Sequence, residues 1–357
     1  MKNILQNLTK KQIVLIGIVL LSLLIYGALT LTANTLKKSL DDQRAAQRWS
    51  NSGDFAQVSC FFADNQTLDF NQIMTFRSQI EKNLSEAAHS ANDNHRSFID
   101  AYSSIGTVNI RSERGRLETT AIGIGGDFFL FHPLKLVNGS YFSGHDLMKD
   151  SVILDEEAAW QLFGSSDIAG MPVTIGGVPH YVRGVISRES GRLWEAAGLN
   201  SGVAYLSAES LLAYGNTTGI QHYEFVMPNP VSGFAYRVAL ENFGYTEDRM
   251  MVIDNSARYG FESLIRVIAE TGTRSMQSFA VRFPYWENYA RGFEDILAFI
   301  LVFQMIFLTV PIIITGVMLF LAYKNRTWLW KDVAVKGLRV SKNSFSFIHK
   351  KIMEKRI

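Results

Sequence analysis

The sequence of 357 residues has a single cysteine and none of the short patterns that are typical of catalysis or metal binding. Cys60 cannot form an internal disulfide, and the apolar run around it favours a buried side chain over a reactive thiol. The seven histidines are scattered, without an HExxH pattern or a nearby cysteine pair. Neither a P-loop motif nor a Gly-x-Ser-x-Gly elbow occurs. These absences predict a protein that is not an enzyme and that has no catalytic residue, metal or cofactor of its own.

Two local patterns allow both a chemical and a structural interpretation. The glycine-rich segment 123–126 precedes Asp127 and an aromatic run instead of a helix, which favours a turn or a close backbone approach over phosphate binding. Asp155, Glu156 and Glu157 stand at the start of a predicted helix, where the helix dipole favours acidic residues. Helix capping is the preferred interpretation of this acidic cluster, and acid–base chemistry is the alternative.

Charged residues are missing from two long apolar runs, the 19 residues Ile13–Leu31 and the 28 residues Ile296–Tyr323. A helix needs about 20 apolar residues to cross the core of a bilayer, so each run predicts one transmembrane helix. The first run is longer than the roughly 7–15 residues of a signal-peptide core, and no clear Ala-x-Ala site follows it. We therefore expect an uncleaved anchor; the alternative is a cleaved signal peptide and a protein with one span.

The charges outside the two runs are unevenly distributed. The tail Lys324–Ile357 has ten basic and two acidic residues, and the segment before the first run has three lysines and no acid. The region between the runs is left with 22 basic and 31 acidic residues, a formal net charge of −9. Since basic flanks stay in the cytoplasm, we expect a multi-pass protein of the cytoplasmic membrane with both termini inside and the centre outside. Lys37 and Lys38 oppose this orientation locally, and the tail decides it.

These assignments divide the chain into five segments. They are a cytoplasmic N-terminus (1–12), a first transmembrane helix (13–32), an extracytoplasmic domain (33–295), a second transmembrane helix (296–323) and a basic cytoplasmic tail (324–357). The domain alternates strand and helix patterns at both of its ends. In order, these patterns are strand Val58–Phe62, helix Asp69–Ala88, strand Tyr223–Met227 and helix Val231–Phe243. The middle, about residues 128–206, is mostly strand-like, and the pair Gly176–Gly177 predicts a tight hairpin turn there.

The segments next to the two apolar runs have helical patterns. Ala33–Trp49 contains no glycine or proline and is predicted to continue the first transmembrane helix. Before the second run, Trp286, Tyr289, Phe293 and Leu297 recur at helical spacing. Two interpretations remain open: these are aromatic residues at the headgroup level, or the two helices pack side by side as a stalk above the membrane.

Three motifs in the middle of the domain resemble the periplasmic core domain of MacB-type ABC transporter permeases. They are a loop ending in Gly-x-x-Phe (129–142), a strand and helix closing on Phe-Gly (151–164), and a glycine-turn hairpin ending in Val-x-Gly-Val (169–186). The tail segment Trp330–Lys342 is similar to the cytoplasmic stretch that couples FtsX- and MacB-type permeases to their ATPase. The resemblance implies an α+β extracytoplasmic domain between two transmembrane helices, with a split α/β lobe and an inserted, mostly β lobe.

The resemblance also implies a function. It predicts a membrane subunit of an ABC-type transporter or mechanotransmission complex, which couples a separate cytoplasmic ATPase to an outer domain. That domain is expected to act on peptide, lipid, lipoprotein or cell-wall partners. Trp328, Trp330, Lys336 and Arg339 are the expected ATPase contacts, because interfaces concentrate energy in aromatic and arginine anchors. The alternative is that these residues only anchor the span at the headgroups.

Family permeases have two further spans, so this sequence is expected to lack the last two, and a second permease chain is an expected partner. The bilayer is another partner, and no nucleic acid is expected. Pro311 and Gly316 are the expected sites of a helix kink in the second run. Two other functions remain open. One is a polysaccharide co-polymerase-like scaffold, which has the same two-span plan with a proline in its second span, and the other is a membrane-anchored ligand sensor.

Overall fold

The computed structural model describes residues 10–50, 53–87, 96–246, 248–271 and 281–324. The chain divides into two compact units, of which one, the outer unit, covers Thr32–Leu301 and the other contains the remainder. The outer unit is a mixed α/β domain, as the sequence predicts.

Ten α-helices and eleven strands are assigned in the described ranges. The helices are α1 (Lys10–Lys38), α2 (Ala45–Trp49), α3 (Phe70–Glu86), α4 (Phe128–Phe131), α5 (Glu156–Phe163), α6 (Arg192–Ala196), α7 (Ala208–Tyr214), α8 (Phe234–Phe243), α9 (Phe261–Ala269) and α10 (Tyr285–Lys324). The strands are β1 (Phe55–Phe62), β2 (Ile99–Arg111), β3 (Arg116–Gly126), β4 (Leu136–Gly139), β5 (Ser151–Asp155), β6 (Pro172–Ile175), β7 (Val178–Ile186), β8 (Val203–Ser207), β9 (Asn216–Thr217), β10 (His222–Pro228) and β11 (Met250–Asp254).

The strands form one mixed sheet in the order β11-β1-β10-β2-β3-β8-β5-β7-β4, while β6 pairs with β2 and β7, and β9 pairs with β2. The pairs β3–β8 and β5–β7 are parallel, and the other pairs are antiparallel. Near Ala101, β2 pairs with β10, and near Arg111 it pairs with β6. The long β2–β3 hairpin therefore connects the two halves of the sheet.

Apolar side chains form a separate cluster at each end of this hairpin. The first cluster combines two distant parts of the chain, residues 56–102 and 208–250, and includes the buried faces of α3 and α8. The second is built from residues 108–211, mainly from the strands around α5. This arrangement agrees with the predicted split α/β lobe and mostly β insert. The second cluster takes Val108 and Ala121 from the hairpin itself, and the first takes Tyr102, so β2 contributes to both cores.

Local side-chain contacts and turns fix the ends of several predicted elements. Asp69 accepts a hydrogen bond from the Gln72 N–H, and the Gln72 side chain accepts one from the Asp69 N–H, which makes a capping box for α3. Asp155 accepts from the Ala158 N–H at 2.8 Å and caps α5, so the capping interpretation of this acidic cluster is confirmed. Gly176 and Gly177 have φ angles of 59° and 83°, the left-handed values that the β6–β7 turn requires.

Two further local interpretations are also confirmed. A Cβ atom on Gly125 would overlap the Tyr102 ring, so the glycine-rich segment serves a close approach within the β2–β3 hairpin. The aromatic run after it, which was expected not to be a helix, forms the four-residue helix α4. Cys60 is fully buried in the first apolar cluster, and burial raises the pKa of its thiol far above the ordinary value. A thiol in this state is a packing group and a poor nucleophile.

The prediction of one continuous helix over Ala33–Trp49 is wrong. Helix α1 ends at Lys38, a 3₁₀ turn covers Asp41–Gln43, and the short helix α2 begins at Ala45. The segment lacks glycine and proline, so no residue type in it forces the break. The cause lies in contacts with distant residues.

Backbone groups at this break are satisfied by side chains. The Gln57 side chain accepts from the Ala45 N–H at 2.8 Å and donates to the Asp42 carbonyl at 2.7 Å. Arg44 donates to the Lys38 carbonyl at 3.0 Å and so caps the end of α1. Because these tertiary hydrogen bonds replace those that a longer helix would make, they outweigh a local helix propensity of a few tenths of a kcal/mol per residue.

Helices α1 and α10, with 29 and 40 residues, are long and apolar enough to cross a membrane. Large apolar side chains in both helices are well exposed, such as Leu24 and Leu31 in α1 and Ile313 and Leu319 in α10. Exposed apolar side chains on helices whose backbone is internally hydrogen-bonded suit a lipid environment.

Candidate coupling site between the stalk and the sheet

The parts of α1 and α10 that belong to the outer unit, residues 32–38 and 285–301, are called the stalk below. Ala33 and Leu297 are buried in one apolar cluster, which packs the two helices together here. Trp286, at the start of α10, is 2% exposed and lies in a third apolar cluster, beneath the sheet. This burial favours the stalk interpretation, since an aromatic residue at the headgroup level keeps one ring edge in water.

A buried ion group joins the stalk to the turn that follows β11. Arg258, in that turn, donates two hydrogen bonds to Glu287, from Nη1 to Oε2 at 2.7 Å and from Nη2 to Oε1 at 2.6 Å. Its Nε donates a further bond to Glu294. Glu287 and Glu294 are seven residues apart in α10, so they lie on the same helix face. One guanidinium therefore holds two carboxylates of the stalk, in the fork geometry that makes such pairs strong.

This ion group is shielded from water. The side chains of Arg258 and Glu287 are each 2% exposed, and that of Glu294 is 11% exposed. Burial lowers the pKa of Arg258, but the Glu287 carboxylate together with Tyr259 and Glu224 outweighs this effect and holds the pKa above its ordinary value. Arg291, on the same stretch of α10, lies 4.3 Å from the centre of the Phe283 ring. Together the two arginines and two glutamates carry no net charge, as buried charges require.

A second buried group forms around His132, the residue after α4. Its Nδ1 lies 3.0 Å from Oδ1 of Asp42, in the turn after α1, and its Nε2 lies 2.5 Å from Oε2 of Glu224 in β10. Ionised carboxylates only accept hydrogen bonds, so both ring nitrogens carry a proton and the ring is an imidazolium. Burial lowers the pKa of His132, but Glu224 and Asp42 outweigh it and raise the pKa to about 9.

The charge on His132 also acts on its neighbours. Burial would raise the pKa of Glu224, but the imidazolium of His132 outweighs it and holds the pKa below its ordinary value. The His132 ring centre lies 4.5 Å from that of Trp286, a distance at which a cation is attracted to an indole face. His132 therefore binds the turn after α1, strand β10 and the start of α10 at once.

The register of β1 and β10 explains how this group reaches the rest of the sheet. Ser59 and Glu224 lie directly opposite each other, and the Ser59 hydroxyl donates to Oε1 of Glu224 at 2.5 Å. Because side chains alternate along a strand, both point away from the first apolar cluster, which takes Cys60. Asn255 extends the group: its Nδ2 donates to Ser59 at 2.6 Å, and its Oδ1 accepts from Nη1 of Arg258 at 3.2 Å.

These contacts form one continuous path of hydrogen bonds and ion pairs, which we call the coupling network. Its members are, in order, Asp42, His132, Glu224, Ser59, Asn255, Arg258, Glu287 and Glu294. It joins the end of α1, the sheet and the start of α10. Hydrogen bonds between charged groups are directional, so the network fixes how these three elements are oriented. In the part of the chain that the structure describes, no group of three or more His, Cys, Asp or Glu could hold a metal ion.

Pro311 and Gly316, the expected kink residues, both lie inside α10, which runs without interruption from Tyr285 to Lys324. Proline has no N–H, so the carbonyl of Phe307 loses its partner within the helix. The Ser22 hydroxyl of α1 donates to this carbonyl at 2.5 Å. In hydrocarbon an unpaired carbonyl costs several kcal/mol, so Ser22 compensates for the proline. A kink at Pro311 or Gly316 stays a prediction.

The expected ATPase contacts, Trp328, Trp330, Lys336 and Arg339, lie outside the residues that the structure describes, and their role also stays a prediction. The coupling network cannot be recognised from local sequence patterns, because Asp42 and Glu224 lie 90 and 92 residues from His132, which joins them. One local signal was present: Glu224 is a charged residue within the otherwise apolar strand pattern Tyr223–Met227. A buried charge of this kind requires a partner.

Comparison with known proteins gives one family. Residues 13–239 match the family model of the MacB-like periplasmic core domain. A macrolide export ATP-binding/permease protein MacB of Chromobacterium violaceum is 31% identical over 117 residues, which cover 32% of this chain and 17% of that protein. A macrolide export ATP-binding/permease protein MacB 2 of Aeromonas hydrophila is 29% identical over 93 residues, which cover 26% of this chain and 14% of that protein. The match thus spans less than a fifth of the length of either relative.

Two solved structures align with part of this chain. The periplasmic region of MacB from Actinobacillus actinomycetemcomitans aligns with a TM-score of 0.38 and 18% identity, over 60% of this chain and 93% of that one. The extracellular domain of the ABC-type transporter YknZ from Gram-positive bacteria aligns with a TM-score of 0.37 and 16% identity, over 56% of this chain and 100% of that one.

Proposed function

The chain belongs to the family of the MacB-like periplasmic core domain, and on this premise we propose that it is the membrane subunit of an ABC-type transporter or mechanotransmission complex. It is a membrane protein in which two apolar helices flank an extracytoplasmic domain of this family. In the proposed complex a separate cytoplasmic ATPase moves the stalk, and the stalk moves the outer domain. That domain acts on a peptide, lipid, lipoprotein or cell-wall partner.

The observation that carries this proposal is the coupling network. It attaches the turn after α1 and the start of α10 to the same sheet, through Asp42 on one side and Glu287 on the other. Removing one partner from a buried ion pair costs about 3–5 kcal/mol, because the other charge is left uncompensated. A small displacement of the stalk therefore carries the sheet with it. A connection of this stiffness is what transmission of movement from the membrane requires.

The proposed orientation has both termini in the cytoplasm. The ten basic residues of the tail Lys324–Ile357 support it, because basic flanks are retained on that side. Within the tail, Trp328, Trp330, Lys336 and Arg339 are the proposed contacts for the ATPase. The two curated relatives are named ATP-binding/permease proteins. A separate ATPase chain and a second permease chain are the further partners in the proposed complex.

Co-purification tests this proposal. The tagged full-length chain, extracted from membranes in a mild detergent, should retain an ATPase that hydrolyses ATP. Trp330→Ala combined with Arg339→Glu should remove the ATPase and leave the abundance of the chain in the membrane unchanged. The matched control is Trp160→Ala combined with Arg111→Glu, which changes an exposed tryptophan and an exposed arginine of the outer domain and should have no effect. An unmutated chain without ATPase, or a tail variant that retains it, contradicts the proposal.

Transmission is tested in the same purified complex. In a Cys60→Ser background, Ser39→Cys places an exposed thiol directly after α1. ATP should change the rate at which a maleimide modifies this thiol. Arg258→Met combined with Glu287→Met should weaken that response while ATP hydrolysis continues. If the response to ATP is the same with and without the ion pair, the network does not transmit the movement.

A further inference from the structure

A cavity of about 750 Å³ lies beside the stalk end of α1. Three cationic side chains line it, Lys37, Lys38 and Arg44, and Ser256 and Asn255 add polar groups. None of the described residues that line it is acidic. All of these residues belong to the outer unit. The cavity is therefore a positively charged site formed within a single compact unit.

The positive charge of this cavity is poorly balanced by the protein. The Lys37 Nζ donates to the Tyr259 carbonyl at 2.8 Å, which is a neutral acceptor, and burial lowers the pKa of Lys37. Neither Lys37 nor Lys38 forms an ion pair with a carboxylate in the part of the chain that is described. Arg44 Nη1 lies 3.9 Å from the largely exposed carboxylate of Asp41, an arrangement of little strength. An anion in the cavity would be stabilised by all three cations.

The position along α1 relates the cavity to the bilayer. Lys37 follows the last residue of the apolar run, Leu31, by six residues in one continuous helix, which is about 9 Å along the axis. The headgroup layer adds roughly 5–7 Å beyond the hydrocarbon core on each side. Side chains of an α-helix tilt towards its N-terminus, which for Lys37 and Lys38 is the direction of the apolar run. The ammonium groups of Lys37 and Lys38 therefore reach the depth of lipid phosphates.

We propose that this cavity binds the phosphate of an anionic phospholipid headgroup, from the leaflet that faces the outer domain. Lys37 and Lys38 supply point charges, and the planar guanidinium of Arg44 matches two phosphate oxygens. The Ser256 hydroxyl accepts from the Gln57 N–H at 2.9 Å, which leaves its own hydrogen for a phosphate oxygen. Free phosphate presents the same oxygens, but it lacks the acyl chains that hold a headgroup at this depth.

This site would place a lipid next to the coupling network. Asn255 lines the cavity and also connects Ser59 with Arg258 in the network. The inference goes beyond the proposed function, since it concerns a ligand of the membrane and not the ATPase or the cargo.

The test uses the full chain reconstituted in phosphatidylcholine vesicles, with spin-labelled phosphatidylglycerol or spin-labelled phosphatidylcholine as probes. Electron paramagnetic resonance gives the fraction of each probe that the protein immobilises. The unmutated chain should prefer phosphatidylglycerol, and Lys37→Gln combined with Lys38→Gln should lower that preference about fivefold or more, since each lysine contributes on this scale. Lys38→Gln alone, at an exposed position without an ion pair, gives an intermediate loss and cannot impair folding through a lost contact.

The matched control is Lys82→Gln combined with Lys135→Gln, which removes the same charge from exposed positions elsewhere in the outer unit and should retain the preference. Added salt separates a site from diffuse attraction, because exposed charges more than a Debye length apart are screened and a partly buried site is screened less. The inference is overturned if salt abolishes the preference, if the control loses as much as the cavity variant, or if the cavity variant loses nothing. It is also overturned if inorganic phosphate displaces phosphatidylglycerol from the unmutated chain, since the site then serves a soluble anion.

Discussion

Substitution of Arg258 by methionine tests whether the stalk is held to the sheet by charge. The change keeps most of the side-chain volume and removes the guanidinium that binds Glu287 and Glu294. The carboxylates of Glu287 and Glu294 then lose the guanidinium that binds them, and the Glu287 side chain is only 2% exposed to water.

The expected magnitude follows from the burial of the group. Removing one partner of a buried ion pair costs about 3–5 kcal/mol, mostly because the other charge stays desolvated. A compact unit of about 270 residues loses roughly 2–4 °C of melting temperature per kcal/mol, so the melting temperature should fall by roughly 6–20 °C. The double variant Arg258→Met with Glu287→Gln should lose less than the sum of the two single variants, because it removes opposite charges together.

Near-ultraviolet circular dichroism of the full chain in detergent, recorded during heating, measures this loss. The matched control is Arg96→Met, which breaks an ion pair with Asp127 whose arginine side chain is 49% exposed. Exposed pairs contribute about 0–1 kcal/mol, so the control should melt within a few degrees of the unmutated chain. Equal losses in the two variants, or no measurable loss for Arg258→Met, would refute the argument that the buried ion group holds the stalk.

Two further predictions concern single contacts. The pKa of His132 is raised from an unfolded value near 6.5 to about 9, so the stabilisation from its charge is complete below pH 6.5 and is lost as the pH rises through 9. In denaturant titrations, the free energy of unfolding of the unmutated chain, relative to that of His132→Gln, should fall by on the order of 3 kcal/mol over this interval. The same pH dependence of stability in both proteins would contradict the imidazolium assignment. Ser22→Ala should lower the free energy of unfolding by sodium dodecyl sulfate in mixed micelles by about 1–2 kcal/mol. In a Pro311→Ala background the Phe307 carbonyl regains a partner within the helix, so the same change should have little effect. An equal effect in both backgrounds would contradict the conclusion that Ser22 compensates for the proline.

Sequence patterns predicted the elements whose signals lie within a few residues of one another. The start of α3 is fixed by Asp69 and Gln72, which are three residues apart and bond to each other's backbone. The β6–β7 hairpin is fixed by Gly176 and Gly177, because only residues that accept positive φ fit its turn. Such signals do not depend on the rest of the fold. They were therefore correct even though the sheet order was unknown.

The prediction that was wrong, and the contacts that were not predicted, depend on residues far away in the chain. The break after Lys38 requires Gln57, whose side chain reaches Asp42 and Ala45 only because β1 lies beside them. Glu224 meets Ser59 only in the register that pairs β1 with β10, and a shift by one residue would move it to the opposite face. Helical spacing identified the apolar face of the stalk, yet its acidic residues could not be assigned a partner before the position of Arg258 was known.

The chemistry of the stalk contacts decides what a movement of α10 does to the sheet. Apolar packing such as that of Leu297 is not directional, so a helix held by it alone could turn at little cost. A shift of α10 by one residue turns its side chains by about 100° and would carry Glu287 and Glu294 away from Arg258. That turn separates the buried guanidinium of Arg258 from the carboxylates that it binds and costs on the order of 3–5 kcal/mol or more. The favourable response to a force on the stalk is therefore displacement of helix and sheet together, and this is the response that a coupling element needs.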